Sequence, residues 1–223
     1  MENVCALIPA YNEEKTLGSL VRGLRSRMKN VVVVNDGSTD DTARIAQGSG
    51  ACVLSQSRCR GKGAALKIGY GYCLAEDFTA VLNLDGDGQH DWREVDKFLA
   101  MGRQTNAGII IGNRMDEVKN MPWVRLLTNR LTSKILSFIV KQKIADSQCG
   151  YRLIRKEVLE KVKLSTAHFD TESELLIKAG RLGFKIISVP IETIYRDEKS
   201  KINRMLDTAR FIRLIWRSLW WVV

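Results

Sequence analysis

The chain has little histidine and proline, two and three residues among 223, and no Cys-x-x-Cys pair. Its five cysteines, Cys5, Cys52, Cys59, Cys73 and Cys149, form an odd set without metal-ligand spacing, which argues against a disulfide framework and a zinc site alike. No apolar run is long enough to cross a bilayer, and the most apolar tail, Phe211 to Val223, is interrupted by Arg213 and Arg217. No basic and cleavable apolar leader precedes the first strand-like run, Val4 to Pro9, so the expected location is cytoplasmic. Repeats, low-complexity stretches and proline-rich linkers are absent too, leaving one ordinary domain whose core draws on 45% hydrophobic residues. Two nucleotide signatures are missing. No G-x-G-x-x-G follows the first strand, and around Gly61-Lys62-Gly63 a Walker loop would need glycine at Gln56 and Ser or Thr at Gly63. NAD enzymes and P-loop NTPases are thereby set aside.

What the chain does have is cationic excess, a formal net charge of +10, which implies an anionic partner. It carries no recognisable nucleic-acid motif, and its aromatics cluster at one end, so no nucleic acid is expected. A phosphorylated ligand or an acidic membrane leaflet remains.

Short β-branched runs alternate with helical patterns through the first half, which predicts an α/β fold with a mostly parallel sheet flanked by helices. Strands are expected at Val4 to Pro9, Val31 to Asn35, Ala51 to Ser55, Ala80 to Leu84 and Ile109 to Gly112. Helices are expected from near Glu13, Asp40, Gly63 and Trp92, with acidic residues in their first turns. The second half reads as a basic helix from about Lys119 to Lys143, strands around Cys149 to Ile154 and Lys185 to Val189, a helix from about Asp170 to Leu182, and a final amphipathic helix. Residues 1–200 are expected to form the main domain and 201–223 the appended helix.

In parallel sheets ligands bind beyond the carboxyl ends of the strands. Three polar clusters stand there: Pro9-Ala10-Tyr11-Asn12-Glu13-Glu14, Asp36-Gly37-Ser38-Thr39-Asp40 and Asp85-Gly86-Asp87-Gly88-Gln89. Asp85 and Asp87, two residues apart in a glycine-rich loop, suit a hard divalent cation that leaves positions open for diphosphate oxygens. Alone, such a pair reads first as an ordinary Asp/Gly turn. Thr39 or Asp40 reads as a helix cap, whereas Asp36, the first polar residue past a strand, is suited to a base or ribose. Lys62 opens a helix where backbone N–H groups favour anions. His90 is open to ligation and His168 reads as structural.

Together these stretches, with Gly112-Asn113-Arg114, Cys149-Gly150-Tyr151-Arg152 and Ser200-Lys201-Ile202-Asn203, resemble glycosyltransferase family 2. Within it the likeness is to the dolichyl-phosphate mannosyltransferases and polyprenyl-phosphate glucosyltransferases. The resemblance implies a GT-A fold and an inverting, metal-dependent hexosyltransferase working at the cytoplasmic membrane face. The donor would be GDP-mannose or UDP-glucose and the acceptor a polyprenyl or dolichyl phosphate. By the same resemblance Pro9, Ala10, Tyr11, Glu13, Asp36, Lys62 and Gly86 would frame the donor. Asp85, Asp87 and Gln89 would hold Mg²⁺ or Mn²⁺, and Arg114, Arg130, Arg196, Lys199 and Lys201 would face the acceptor phosphate. Asp87, Arg114 and Asp146 would carry catalysis, Asp146 as a base or by orienting Arg152. Asn35 and Trp92 depart from the family pattern, where Asp and Pro are common.

A soluble or polysaccharide acceptor is the nearest rival. A sugar nucleotidyltransferase would need a glycine-rich loop after strand one, which Pro9 to Glu14 is not. For the lipid acceptor, the Lys119 to Lys143 segment and the last helix are expected to lie on the membrane. The first has six basic residues (Lys119, Arg125, Arg130, Lys134, Lys141, Lys143) and no acidic one. In the second, Arg210, Arg213 and Arg217 share one face, while Phe211, Ile212, Ile215 and Leu219 cover the other.

Overall fold

The structure is a computed structural model and describes residues 3–115, 123–192, 194 and 204–221. Seven strands form one sheet: β1 (Val4–Ala10), β2 (Asn30–Asn35), β3 (Cys52–Ser55), β4 (Ala80–Asn83), β5 (Ile109–Asn113), β6 (Arg152–Arg155) and β7 (Ile186–Pro190). Their order is β3-β2-β1-β4-β6-β5-β7. Only β6 runs against its neighbours β4 and β5; every other pairing is parallel. The seven-residue β1 is buried throughout, as a strand covered on both faces must be, which explains its continuous rather than alternating apolar run.

The helices are α1 (Leu17–Arg25), α2 (Thr42–Gly48), α3 (Lys62–Ala75), α4 (Val95–Gln104), α5 (Trp123–Val140), α6 (Lys156–Lys161), α7 (Asp170–Arg181) and α8 (Arg204–Ser218). A 3₁₀ turn, Trp92–Glu94, precedes α4. The expected strands recur within a residue or so, except β6, which starts at Arg152 rather than Cys149. Its first three expected residues belong to a buried approach loop, and α6, too short for a periodic pattern, was not anticipated.

The expectation of acidic first turns fails for α1, α2 and α3, which have none. Before α1 and α2 the carboxylates lie in the preceding loops and staple them together; the loop before α3 has none. Asp40 accepts from the N–H groups of Thr42 and Glu14 (3.0 and 3.3 Å), and Glu14 accepts from the Asp41 N–H (3.2 Å). Asn12 completes the seam, accepting from the Thr39 N–H (2.9 Å). Asp40 thus serves the first N–H of α2 from one residue before the N-cap, Asp41, whose own side chain makes no capping bond.

Strand order reverses at β1 and β4, so the crevice beyond their carboxyl ends is the switch point where a ligand site is expected. The antiparallel β6 enters from that same edge. Asn83 pairs with Arg152, and continuing the register by two residues sets Gly150 opposite Asp85. This one reversed strand delivers the Cys149-Gly150-Tyr151 loop to the acidic turn.

Candidate active site

The acidic loop after β4 is seated against the end of β1. Thr16 donates its hydroxyl to the Gly86 carbonyl (2.7 Å). A Cβ on Gly86 would lie 3.3 Å from Glu13 Cγ, 3.4 Å from the Pro9 carbonyl and 3.5 Å from Ala10 Cβ. Four of the expected donor residues, Pro9, Ala10, Glu13 and Gly86, are therefore in one place, with Tyr11 exposed beside them.

The two carboxylates of the loop have different surroundings. Lys62 Nζ stands 2.5 Å from Asp85 Oδ1 and 2.7 Å from Glu172 Oε2. The buried His90 places Nε2 3.5 Å from Asp85 Oδ2. Burial alone would raise the Asp85 pKa, but the Lys62 ammonium and then His90 hold it well below the carboxylate range. Asp87 has the opposite balance: burial and then the charge of Asp85 push it up, although the Gln89 N–H donates to it at 2.9 Å. Lys62 keeps its proton more tightly than usual, because Asp85 and Glu172 outweigh its burial.

Among the described residues no three His, Cys, Asp or Glu side chains form a metal cage. The donor set fits a divalent cation of another kind. Asp87 is a half-buried carboxylate that forms no ion pair among the described residues, and a hard ion that takes its other ligands from a diphosphate would supply its counter-charge. Asp85, engaged by Lys62, is less available than its partner.

Lys62 begins α3, and its setting explains the flanking glycines. A Cβ on Gly61 would meet His168 Nδ1 at 2.5 Å, and one on Gly63 would meet Thr171 Oγ1 at 1.9 Å. Gly61 also has φ of 96°, which favours glycine. The His168 ring packs against Gly61. The start of α7 thus abuts the start of α3, and this contact brings Glu172 to Lys62. No local motif announced Glu172, since it lies more than a hundred residues downstream.

Two expected site residues are held by partners within the chain. Asp36 is 3% exposed, and its carboxylate is bonded to the chain's own loop. It accepts from Gln56 Nε2 (2.7 Å), the Arg60 and Gly61 N–H groups (2.9 and 2.8 Å) and Cys59 Sγ (3.3 Å). Asp146 is fully buried and pairs with Arg114 rather than Arg152. Arg114 Nε and Nη2 donate to its two oxygens at 2.7 and 3.0 Å, a bidentate clamp that positions the guanidinium and leaves no proton-accepting oxygen at the surface. Arg152 instead donates to the carbonyls of Cys149, Ser147 and Glu172 (2.7, 2.7 and 2.9 Å).

Arg130 lies on the exposed side of α5. Its neighbour Asn129 is 4% exposed, with an amide nitrogen that has no partner among the described residues. One turn further, Ser133 joins Ser147 (3.1 Å), next to Asp146, so Asn129 shares the face of α5 that looks toward the Arg114 clamp. Ile194 donates its N–H to the Gln89 carbonyl (3.0 Å), which ties this residue to the acidic loop. Arg196, Lys199 and Lys201 lie outside the described residues, as does Lys119.

Comparison with known proteins agrees with this geometry. The profile of glycosyl transferase family 2 matches residues 5–163. A polyprenol monophosphomannose synthase of Mycolicibacterium smegmatis is 29% identical over 88% of this chain and 79% of its own length. A dolichyl-phosphate beta-glucosyltransferase of Trichomonas vaginalis is 31% identical over 91% of this chain and 69% of its own. Among solved structures, glucosyl-3-phosphoglycerate synthase from Mycobacterium tuberculosis, in complex with Mn²⁺, UDP and phosphoglyceric acid, superposes with a TM-score of 0.74 at 20% identity. It covers 98% of this chain and 77% of that one, which shows the GT-A fold.

Proposed function

We propose that this chain, which belongs to glycosyl transferase family 2, moves a hexose from a nucleoside diphosphate donor to a polyprenyl or dolichyl phosphate at the cytoplasmic membrane face. The observation that carries the acceptor class is the match, over most of the chain, to relatives named for polyprenol and dolichyl phosphates. The donor would be GDP-mannose or UDP-glucose. Residues 1–200 would be the catalytic unit and 201–223 the appended helix, with α5 and α8 resting on the bilayer.

The residues would divide the work as follows. Tyr11 and Glu13 border the nucleotide, and Asp36 shapes its pocket indirectly by fixing the Gln56–Gly61 loop. Asp87, Gln89 and, where Lys62 yields it, Asp85 would hold Mg²⁺ or Mn²⁺, which when bound neutralises charge on the departing diphosphate. A lipid phosphate monoester is largely dianionic at neutral pH, its second pKa being about 6, so it needs little activation by a base. That fits a buried Asp146 that orients Arg114 rather than taking a proton. Arg114, Arg130, Arg196, Lys199 and Lys201 would draw the acceptor phosphate in, Asn129 offering its amide alongside, and in-line attack would invert the anomeric carbon.

The test is a panel of labelled sugar nucleotides offered with polyprenyl phosphate or with water-soluble phosphorylated acceptors. Label should enter the organic phase with one donor and stop doing so in EDTA. Transfer only to a soluble acceptor would overturn the lipid reading, and undiminished transfer in EDTA the metal reading.

A further inference from the structure

We propose that Glu172 is a positioning residue of the donor site, which acts through Lys62 to set how much negative charge the Asp85–Asp87 loop presents to a divalent cation. The inference rests on the metal-dependent reading above and goes beyond it in assigning a role to a residue on a distant helix.

The geometry is a shared ammonium. Lys62 Nζ lies between Asp85 Oδ1 at 2.5 Å and Glu172 Oε2 at 2.7 Å, and all three side chains are largely withdrawn from water. One positive charge between two carboxylates neutralises half of what it touches, so negative charge is left on the side of Asp85, next to Asp87. Glu172 is not free to swing away. Arg152 Nη1 holds its carbonyl at 2.9 Å, and Nη2 lies 3.9 Å from its Oε1. The bare Gly63 lets Thr171, its neighbour, pack directly on the start of α3. Glu172 is thus fixed from the backbone side and from both helices, while Lys62 keeps a flexible four-carbon stem.

This arrangement predicts opposite effects for the two partners. Glu172→Gln would give Lys62 wholly to Asp85, make the loop less negative and weaken cation binding. Lys62→Met would remove the cation that Asp85 and Glu172 share, make the loop more negative and strengthen it. Both replacements keep approximate shape. If Glu172 merely braced the fold, the two substitutions would not move cation affinity in opposite directions.

The experiment measures the Mn²⁺ concentration that gives half-maximal thermal stabilisation at saturating UDP or GDP, whichever stabilises the wild-type protein. We expect Glu172→Gln to raise it about tenfold, Lys62→Met to lower it by a similar factor, and Glu172→Asp, which keeps the charge, to stay nearer the wild type. Equal midpoints, or shifts of both substitutions in one direction, would overturn the role of Glu172 while leaving the metal reading intact. A wild-type protein that Mn²⁺ never stabilises with either nucleotide would instead overturn the metal reading, and this inference with it.

Discussion

At the scale of single residues, the site depends on how closely a carboxylate and a backbone approach. A Cβ on Gly150 would sit 2.4 Å from Asp85 Oδ2 and 2.8 Å from its Cγ. Asp85 is short and held by Lys62 and His90, so it has little room to yield. Gly150→Ala should therefore displace the carboxylate while the sheet register survives. We expect kcat to fall roughly a hundredfold, the scale on which about an ångström of misplacement acts, with little change in melting temperature. Asp87→Ala should lose transfer almost entirely at unchanged stability, because a half-buried loop carboxylate contributes little to the core. A Gly150→Ala protein that keeps full turnover would show that Asp85 needs no such seat. The sequence displayed Gly150 within a motif but gave it no role, since that role follows from an antiparallel register invisible in a linear reading.

At the scale of elements, the parallel half of the fold was legible because β-branched runs and polar strand ends recur at regular spacing. The three polar clusters beyond β1, β2 and β4 fell where strand ends predict. What was not legible depends on pairings between distant segments: Lys62 with Glu172, Asp146 with Arg114, and Asp36 with its own loop. Glu174 belongs to this second class. It is fully buried on α7 and accepts from Ser165, Thr166 and Lys178, with the Lys178 Nζ at 2.6 Å. These contacts fix the turn whose next residues, Ala167 and His168, pack against Gly61 and Gly63. Burial alone would raise the Glu174 pKa, but those donors bring it down to about 2 from an ordinary 4.5. A depressed folded-state pKa stabilises the protein above the unfolded value, and that stability is lost as pH falls from 4.5 toward 2. Glu174→Gln should cost about 2–3 kcal/mol at neutral pH and make acid denaturation shallower across this window. Denaturant titrations followed by circular dichroism at several pH values would check it; an unchanged acid limb would refute the assignment.

At the scale of the whole molecule, α5 carries large apolar side chains on the face that meets solvent. It buries Asn129, Thr132 and Ser133 together with Leu136 and Val140, yet exposes Trp123, Leu127, Leu131 and Phe138, the last at 87%. The last helix divides its apolar residues differently from the single face expected of it. Leu214 and Ser218 are buried, with Phe211 and Ile215 partly so, while Ile212, Trp216, Leu219 and Trp220 remain exposed. Both helices contact α7, and Arg181 on α7 donates to the Ser218 carbonyl. The described part of neither helix is long and apolar enough to span a bilayer. Large rings beside Arg125, Arg130, Lys134, Arg213 and Arg217 suit an acidic interface, where aromatics sit at headgroup depth and cations meet lipid phosphate. A lipid-linked acceptor has its own phosphate at that depth, so docking would bring Arg114 and Asp87 to it without extracting the lipid chain. We expect flotation with phosphatidylserine liposomes, weakened by salt and by deletion from Arg210 onward. Trp123→Glu with Phe138→Glu should reduce binding about tenfold or more, because each places a charge where a ring would insert. Circular dichroism should remain unchanged, since both side chains are exposed. A folded protein that never floats, or a double variant that floats as well as the wild type, would remove these helices from the membrane and raise a soluble acceptor in its place.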